Sequence, residues 1–121
     1  MNQRRSNTST DIGLGSTAEH QALVHDVLIY LGCRPGFRLW KNATGRARSF
    51  DGNRIISYGL KGSPDIIGVG PGGQFIGIEV KTGNSKSTPE QATFAKVLNA
   101  MGAKVFVVSS LEDIVEVLKN V

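Results

Sequence analysis

Ser63-Pro64-Asp65-Ile66-Ile67-Gly68-Val69, then Gly70-Pro71-Gly72-Gly73, then Gln74-Phe75-Ile76-Gly77-Ile78-Glu79-Val80-Lys81 sets the frame for the rest of this chain. Two apolar runs flank a turn of glycine and proline, which predicts a β-hairpin with strands over Asp65 to Val69 and Gln74 to Lys81. Strand side chains alternate between faces, so Ile76, Ile78 and Val80 share one side and Phe75, Gly77, Glu79 and Lys81 the other. The first set is candidate core. If the hairpin closes symmetrically about Gly72, Val69 pairs with Phe75 and Asp65 lies opposite Glu79. A loop with an even number of residues would put Asp65 on the other face.

Directly opposed residues of an antiparallel pair have Cβ atoms roughly 4.5–5.5 Å apart, where like charges repel. Two carboxylates so placed require a positive partner. Lys81 offers one charge, and a hard divalent cation, Mg²⁺ or Mn²⁺, is the stronger solution because magnesium prefers carboxylate oxygens and retains waters and phosphate oxygens in its shell. Such an ion can activate a bound water and polarise a phosphodiester. Lys81 can then orient the attacking water or offset charge in the transition state. The plain alternative is an exposed Glu-Lys pair at a strand end, with Asp65 capping the turn after Pro64. Acid-x-base triplets are common on strands, and spacing alone favours that alternative.

Outward from the hairpin, the pattern predicts the order α-β-β-β-α-β-α, an α/β or α+β sandwich with a mixed sheet flanked by helices. Ser16-x-x-Glu19 is a capping box, followed by Val24, Val27, Leu28 and Leu31 at helical spacing, with Gly32 as the stop. Phe37 to Asn42 reads as a strand, and Thr44 to Ser63 as a long functional loop with room for a short strand around Ile55-Ile56. Thr88, Pro89 and Gln91 open a second helix, with Ala95, Leu98 and Met101 as its apolar stripe. Lys104 to Ser109 reads as a strand buried on both faces. Ser109-x-x-Glu112 caps a last helix whose inward residues are Leu111, Ile114, Val115 and Leu118. Residues 1–15 read as a flexible arm and 16–121 as one domain.

At 121 residues, 40% hydrophobic and 20% charged, the chain has the composition of an ordinary globular domain. No apolar run nears the roughly 18 residues that span a bilayer, and the start lacks a signal-peptide core, so a cytoplasmic location is expected. The single cysteine, Cys33, reads as a small buried residue at a helix end. His20 and His25 lack the spacing of a helical metal pair, which argues against zinc. The net charge of +4 is unevenly spread: Arg34, Arg38, Lys41, Arg46, Arg48, Arg54 and Lys61 are seven of the fourteen basic residues, with Asp51 the one acid among them. Phe37, Trp40, Phe50 and Tyr58 are interleaved. Cations with aromatics suit a nucleic-acid backbone and its exposed bases. A solvated basic loop with its rings turned into the core is the competing reading.

Pro64-Asp65 followed by Glu79-Val80-Lys81 resembles the P-D...(D/E)-x-K signature of restriction-endonuclease-like nucleases. With Lys61-Gly62-Ser63 before it and Pro89-Glu90-Gln91 after it, the chain from about Leu14 onward is similar to the VRR-NUC group, including its short stand-alone phage and prophage members. The resemblance implies a restriction-endonuclease-like core, with Asp65, Glu79 and the Val80 carbonyl as metal ligands and Lys81 as the catalytic lysine. It implies an active-site role for Gln91, which is also a capping partner for Thr88. Glu19 would complete the metal site, in competition with its place in the capping box. Lys61 and Ser63 would lie near the incoming phosphate; Lys41, Arg46, Arg48 and Arg54 of the basic segment are further candidate nucleic-acid contacts on charge alone. Short members resemble archaeal Holliday-junction resolvases, which implies a homodimer acting on branched DNA in a bacterial or phage-infected cell. The expected activity is thus metal-dependent, structure-selective DNA cleavage. A nuclease acting on flaps, single strands or RNA, a nucleic-acid-binding module without catalysis, and a small interaction protein are the alternatives.

Overall fold

The computed structural model describes residues 17–121; the N-terminal arm and Ser16 lie outside the described residues. Helix α1 (Ala18–Val27) is capped by Thr17, whose hydroxyl accepts the His20 N–H at 3.0 Å. A wider π turn, Leu28–Gly32, continues it. The apolar spacing of this segment buries Val24, Val27 and Leu31 on one side. Cys33, expected to be buried, is exposed. It follows the last helical turn, where the chain swings away from the core toward the first strand.

Four strands form the main sheet: β1 (Arg38–Lys41), β4 (Ile66–Val69), β5 (Phe75–Val80) and β6 (Lys104–Val108), in the spatial order β1-β4-β5-β6. The pairs β1/β4 and β4/β5 are antiparallel, whereas β5/β6 is parallel. A parallel neighbour requires a long crossover, and helix α2 (Pro89–Ala100) lies in it. The core joins Val24, Val27 and Leu31 to Leu39, Ile66, Ile76, Ile78, Val80 and Val108 of the sheet and to Ile114 and Val117 of α3 (Asp113–Lys119). The described residues therefore form a mixed α/β fold with three α-helices on a mixed sheet. Among the described residues, no helix is long and apolar enough to cross a membrane.

Three sequence expectations change. The long loop from Thr44 to Ser63 holds two strands, β2 (Gly45–Arg48) and β3 (Ile55–Tyr58), paired antiparallel as a separate two-stranded ribbon. The strand over Ile55–Tyr58 falls where the Ile55-Ile56 pair left room for one; its partner Gly45–Arg48 buries no residue, and no hydrophobic alternation marked it. Strand β6 is not buried on both faces: it is the edge of the sheet, and Val107 is 53% exposed. The last helix is not capped by Ser109. The Asp113 carboxylate accepts the Ser109 and Ser110 N–H groups at 2.7 and 3.2 Å; along the helix Val117 is buried and Val115 exposed. The second helix has the expected cap in full, Thr88 accepting the Gln91 N–H and Gln91 accepting the Thr88 N–H. Its stripe is shallow, since none of its residues is buried and Met101 is exposed.

Candidate active site

The β4/β5 hairpin closes as the symmetric reading requires. Val69 pairs with Phe75 and Ile66 with Ile78, so Asp65, one residue before β4, falls opposite Glu79. The turn needs glycine: Gly72 and Gly73 have φ of 73° and 79°, a left-handed geometry that costs L side chains energy. Gly77 matters for another reason. A Cβ there would stand 2.7 Å from Cγ of Pro64, so its absence lets the buried Pro64 lie over β5 and seat Asp65 at the strand end. Asn42 ties down the same segment. Its side-chain amide donates to the Pro64 carbonyl at 2.8 Å and to Ser63 Oγ at 2.7 Å, and its backbone N–H donates to the Asp65 carbonyl.

Around this strand end the polar groups converge. Asp65 Oδ2 accepts the Val80 N–H at 2.8 Å and lies 3.4 Å from His20 Nε2. Glu79 is 1% exposed. Ser87 Oγ donates to its Oε1 at 3.1 Å, while Oε2 is buried with no hydrogen-bond partner among the described residues. Burial holds the Glu79 carboxyl above its ordinary pKa; the Ser87 hydrogen bond and the Lys81 charge oppose that shift, and the Asp65 charge adds to it. Lys81 Nζ donates to Gln91 Oε1 at 2.6 Å, the same oxygen that accepts the Thr88 N–H. Gln91 thus caps α2 and holds the Lys81 ammonium at once.

The remaining candidates separate into two places. Glu19 is exposed on the first turn of α1, and the next residue, His20, makes the contact to Asp65. Ser63 already donates to the Leu60 carbonyl at 2.6 Å, and Lys61 forms an exposed pair with Glu90 at 3.5 Å. Lys41 is exposed at the end of β1; Arg46 and Arg48 lie on the ribbon and Arg54 at its tip, all three exposed. His20, Asn42 and Ser87 were not singled out from the sequence. Asn42 and Ser87 carry no spacing signal, and the fit of His20 depends on how α1 docks.

A buried, unpartnered carboxylate oxygen beside a second carboxylate is costly without a cation. Among the described residues, no group of three or more His, Cys, Asp or Glu side chains is gathered to hold a metal ion. Two carboxylates, Asp65 and Glu79, stand at this strand end, with the Val80 main chain beside them. Magnesium is commonly held by one or two carboxylates, waters and substrate phosphate, so these residues fit it. No family model matches the chain, and neither a curated protein nor a solved structure matches it.

Proposed function

We propose that this chain is a divalent-metal-dependent endonuclease that hydrolyses phosphodiester bonds of DNA, acting on branched structures such as four-way junctions. On this reading it is a restriction-endonuclease-like protein of the VRR-NUC kind. The observation that carries the proposal is Glu79: a fully buried carboxylate with a free oxygen, set opposite Asp65 and two residues from a lysine. A structural acid-base pair at a strand end would be solvated. This one is enclosed.

Asp65 and Glu79 would hold Mg²⁺ or Mn²⁺, with the Val80 carbonyl as a further ligand. The ion would supply Lewis-acid polarisation of the phosphate and a more acidic water. Lys81, held by Gln91, is pre-aimed from the same strand and can orient the attacking water and offset charge on the phosphate oxygens. His20 and the Val80 N–H hold the Asp65 carboxylate in one orientation, leaving Oδ1 to face a ligand. A homodimer would place two such sites for two strands of a branched substrate.

The test is a labelled four-way junction incubated with purified protein in Mg²⁺ or Mn²⁺ against EDTA, beside flap, linear duplex and RNA substrates. Cleavage only with metal, lost in Glu79→Ala and Lys81→Ala variants that remain folded, is the expected result. Wild-type rates in either variant would end the proposal. The exposed cationic ribbon favours a second reading, a binding module without catalysis, which predicts metal-independent binding and no cleavage of any substrate.

A further inference from the structure

The ribbon β2/β3 is built unlike the rest of the molecule. Opposed residues of an antiparallel pair point to the same face, so Arg46 and Arg48 share a face with Ser57 and Ile55, while Ala47, Ile56 and Tyr58 share the other. Neither face is covered by the described residues. Ile55, Ile56 and Tyr58 are about half exposed, and Phe50 at the tip is entirely so. A two-stranded hairpin alone is marginal in water. Local chemistry supports this one. Asp51 Oδ1 accepts the Ser49 hydroxyl at 2.6 Å and the Asn53 N–H at 2.9 Å, and Ser49 Oγ accepts the Arg54 N–H at 3.1 Å. At the root, Gly59 has φ of 74°, and a Cβ there would stand 2.5 Å from the Ala43 carbonyl oxygen, so only glycine closes the ribbon's base. The tip is thus an ordered frame that presents an unpacked aromatic ring between Arg48 and Arg54.

Charge identifies what this frame meets. Its cations face solvent, and the one acid in the ribbon, Asp51, is spent on the tip's own hydrogen bonds. A cavity of about 530 Å³ at the root is bordered by Arg46, Tyr58 and Lys61, and the chain then runs through Gly62, Ser63 and Pro64 straight to Asp65. The ribbon's root is thus joined to Asp65 by the short segment Leu60 to Pro64. Two-stranded ribbons fit the major groove, and exposed rings stack on unpaired bases or wedge into opened base steps.

We propose that the β2/β3 ribbon selects branched DNA, with Phe50 stacking on bases exposed where a duplex branches and Arg46, Arg48 and Arg54 gripping the flanking phosphates. This rests on the nucleic-acid reading of the site and names the element that chooses the substrate.

The experiment measures binding of the full chain in EDTA to a four-way junction and to linear duplex of the same sequence, with 2-aminopurine at the branch. Wild type should prefer the junction and quench the probe. Phe50→Ala should weaken junction binding by on the order of tenfold, leave duplex binding unchanged and abolish the quench, whereas Phe50→Trp should restore all three. Arg46→Ala with Arg48→Ala should weaken both substrates and lower the salt slope by about 0.9 per arginine. An unchanged junction-to-duplex ratio in Phe50→Ala overturns the inference, as does a wild-type chain with no junction preference. So does a Phe50→Ala variant that converts a dimer to monomer while binding DNA normally, since the ribbon would then meet a second copy. Metal-dependent cleavage is scored separately. Phe50-dependent binding without cleavage removes the nuclease and leaves the ribbon; cleavage with Phe50-independent preference does the reverse.

Discussion

Two antiparallel hairpins follow one another in this chain, and each pairs four residues with four. In β4/β5, every residue of β5 after Phe75 is buried, and an acid is enclosed with the isoleucines. In β2/β3, all but one of the eight paired residues is exposed, and the charges are positive. Burial raises the energy of an unpaired carboxylate and so creates a demand for a cation at one point in space. Exposure leaves arginines hydrated and mobile, suited to a large, repeating anion rather than a single ion. On the proposed function, the same local geometry would serve chemistry in one hairpin and recognition in the other, according to what packs on it.

The sharpest way to break that contrast is through cleavage. Glu79→Ala or Lys81→Ala should reduce metal-dependent cutting of a junction by on the order of 10³-fold or more, as expected when a charge-stabilising group is lost. Junction binding in EDTA should survive in both variants, because the ribbon is untouched. Stability should divide the hairpins as cleanly. Ile78→Ala removes a fully buried side chain and should cost about 2–5 kcal/mol in urea unfolding, whereas Ile56→Ala on the ribbon should cost about 0.5 kcal/mol or less. Equal losses would mean that the ribbon is packed in solution and is not a free element.

How far these hairpins could be read beforehand follows from the same contrast. The β4/β5 register was legible because Gly72 centres a turn whose two arms have matching apolar alternation, and a slip of one residue would have buried the wrong face. The Thr88–Gln91 box was legible because capping is a contact between residues three apart. In the ribbon only the strand around Ile55-Ile56 was legible; its partner was not, since Gly45-Arg46-Ala47-Arg48 has no alternation to detect. The rings offered a fair test: Phe37 is in the core, while Trp40, Phe50 and Tyr58 are out. His20 was set aside on the spacing of the two histidines, yet it reaches Asp65. That contact depends on the docking of α1 against the end of β4, a long-range outcome that no helical periodicity encodes.

A smaller effect probes the enclosed acid without any catalysis. Glu79→Gln keeps the shape and the Ser87 contact while removing a buried charge whose Oε2 has no partner. In metal-free buffer the variant should be more stable than wild type by about 1–2 kcal/mol, a rise of several degrees in Tm. Adding Mg²⁺ should raise Tm in wild type, because an ion bound only by the folded state stabilises it by mass action, and should leave the glutamine variant unmoved. A wild-type Tm indifferent to Mg²⁺ and Mn²⁺ would remove the metal from the site and, with it, the reason given for burying Glu79.

The smallest effect belongs to the ribbon tip. The Ser49 hydroxyl, and then the Asn53 N–H, hold the Asp51 carboxyl below its ordinary value of 3.8. A carboxyl whose pKa is lower in the folded state contributes stability that is fully present above its unfolded pKa and lost as pH falls through the folded value. The tip should therefore keep its hydrogen bonds at neutral pH and loosen only below about 3.8, with little change in the buried core. Amide chemical shifts of Asn53 and Arg54, followed by NMR as pH falls, should move together with a midpoint under that value, and Asp51→Asn should abolish the transition. A midpoint at or above it would show that the carboxylate does not hold the loop. The frame that presents Phe50 would then have to be supplied by bound DNA rather than exist before it arrives.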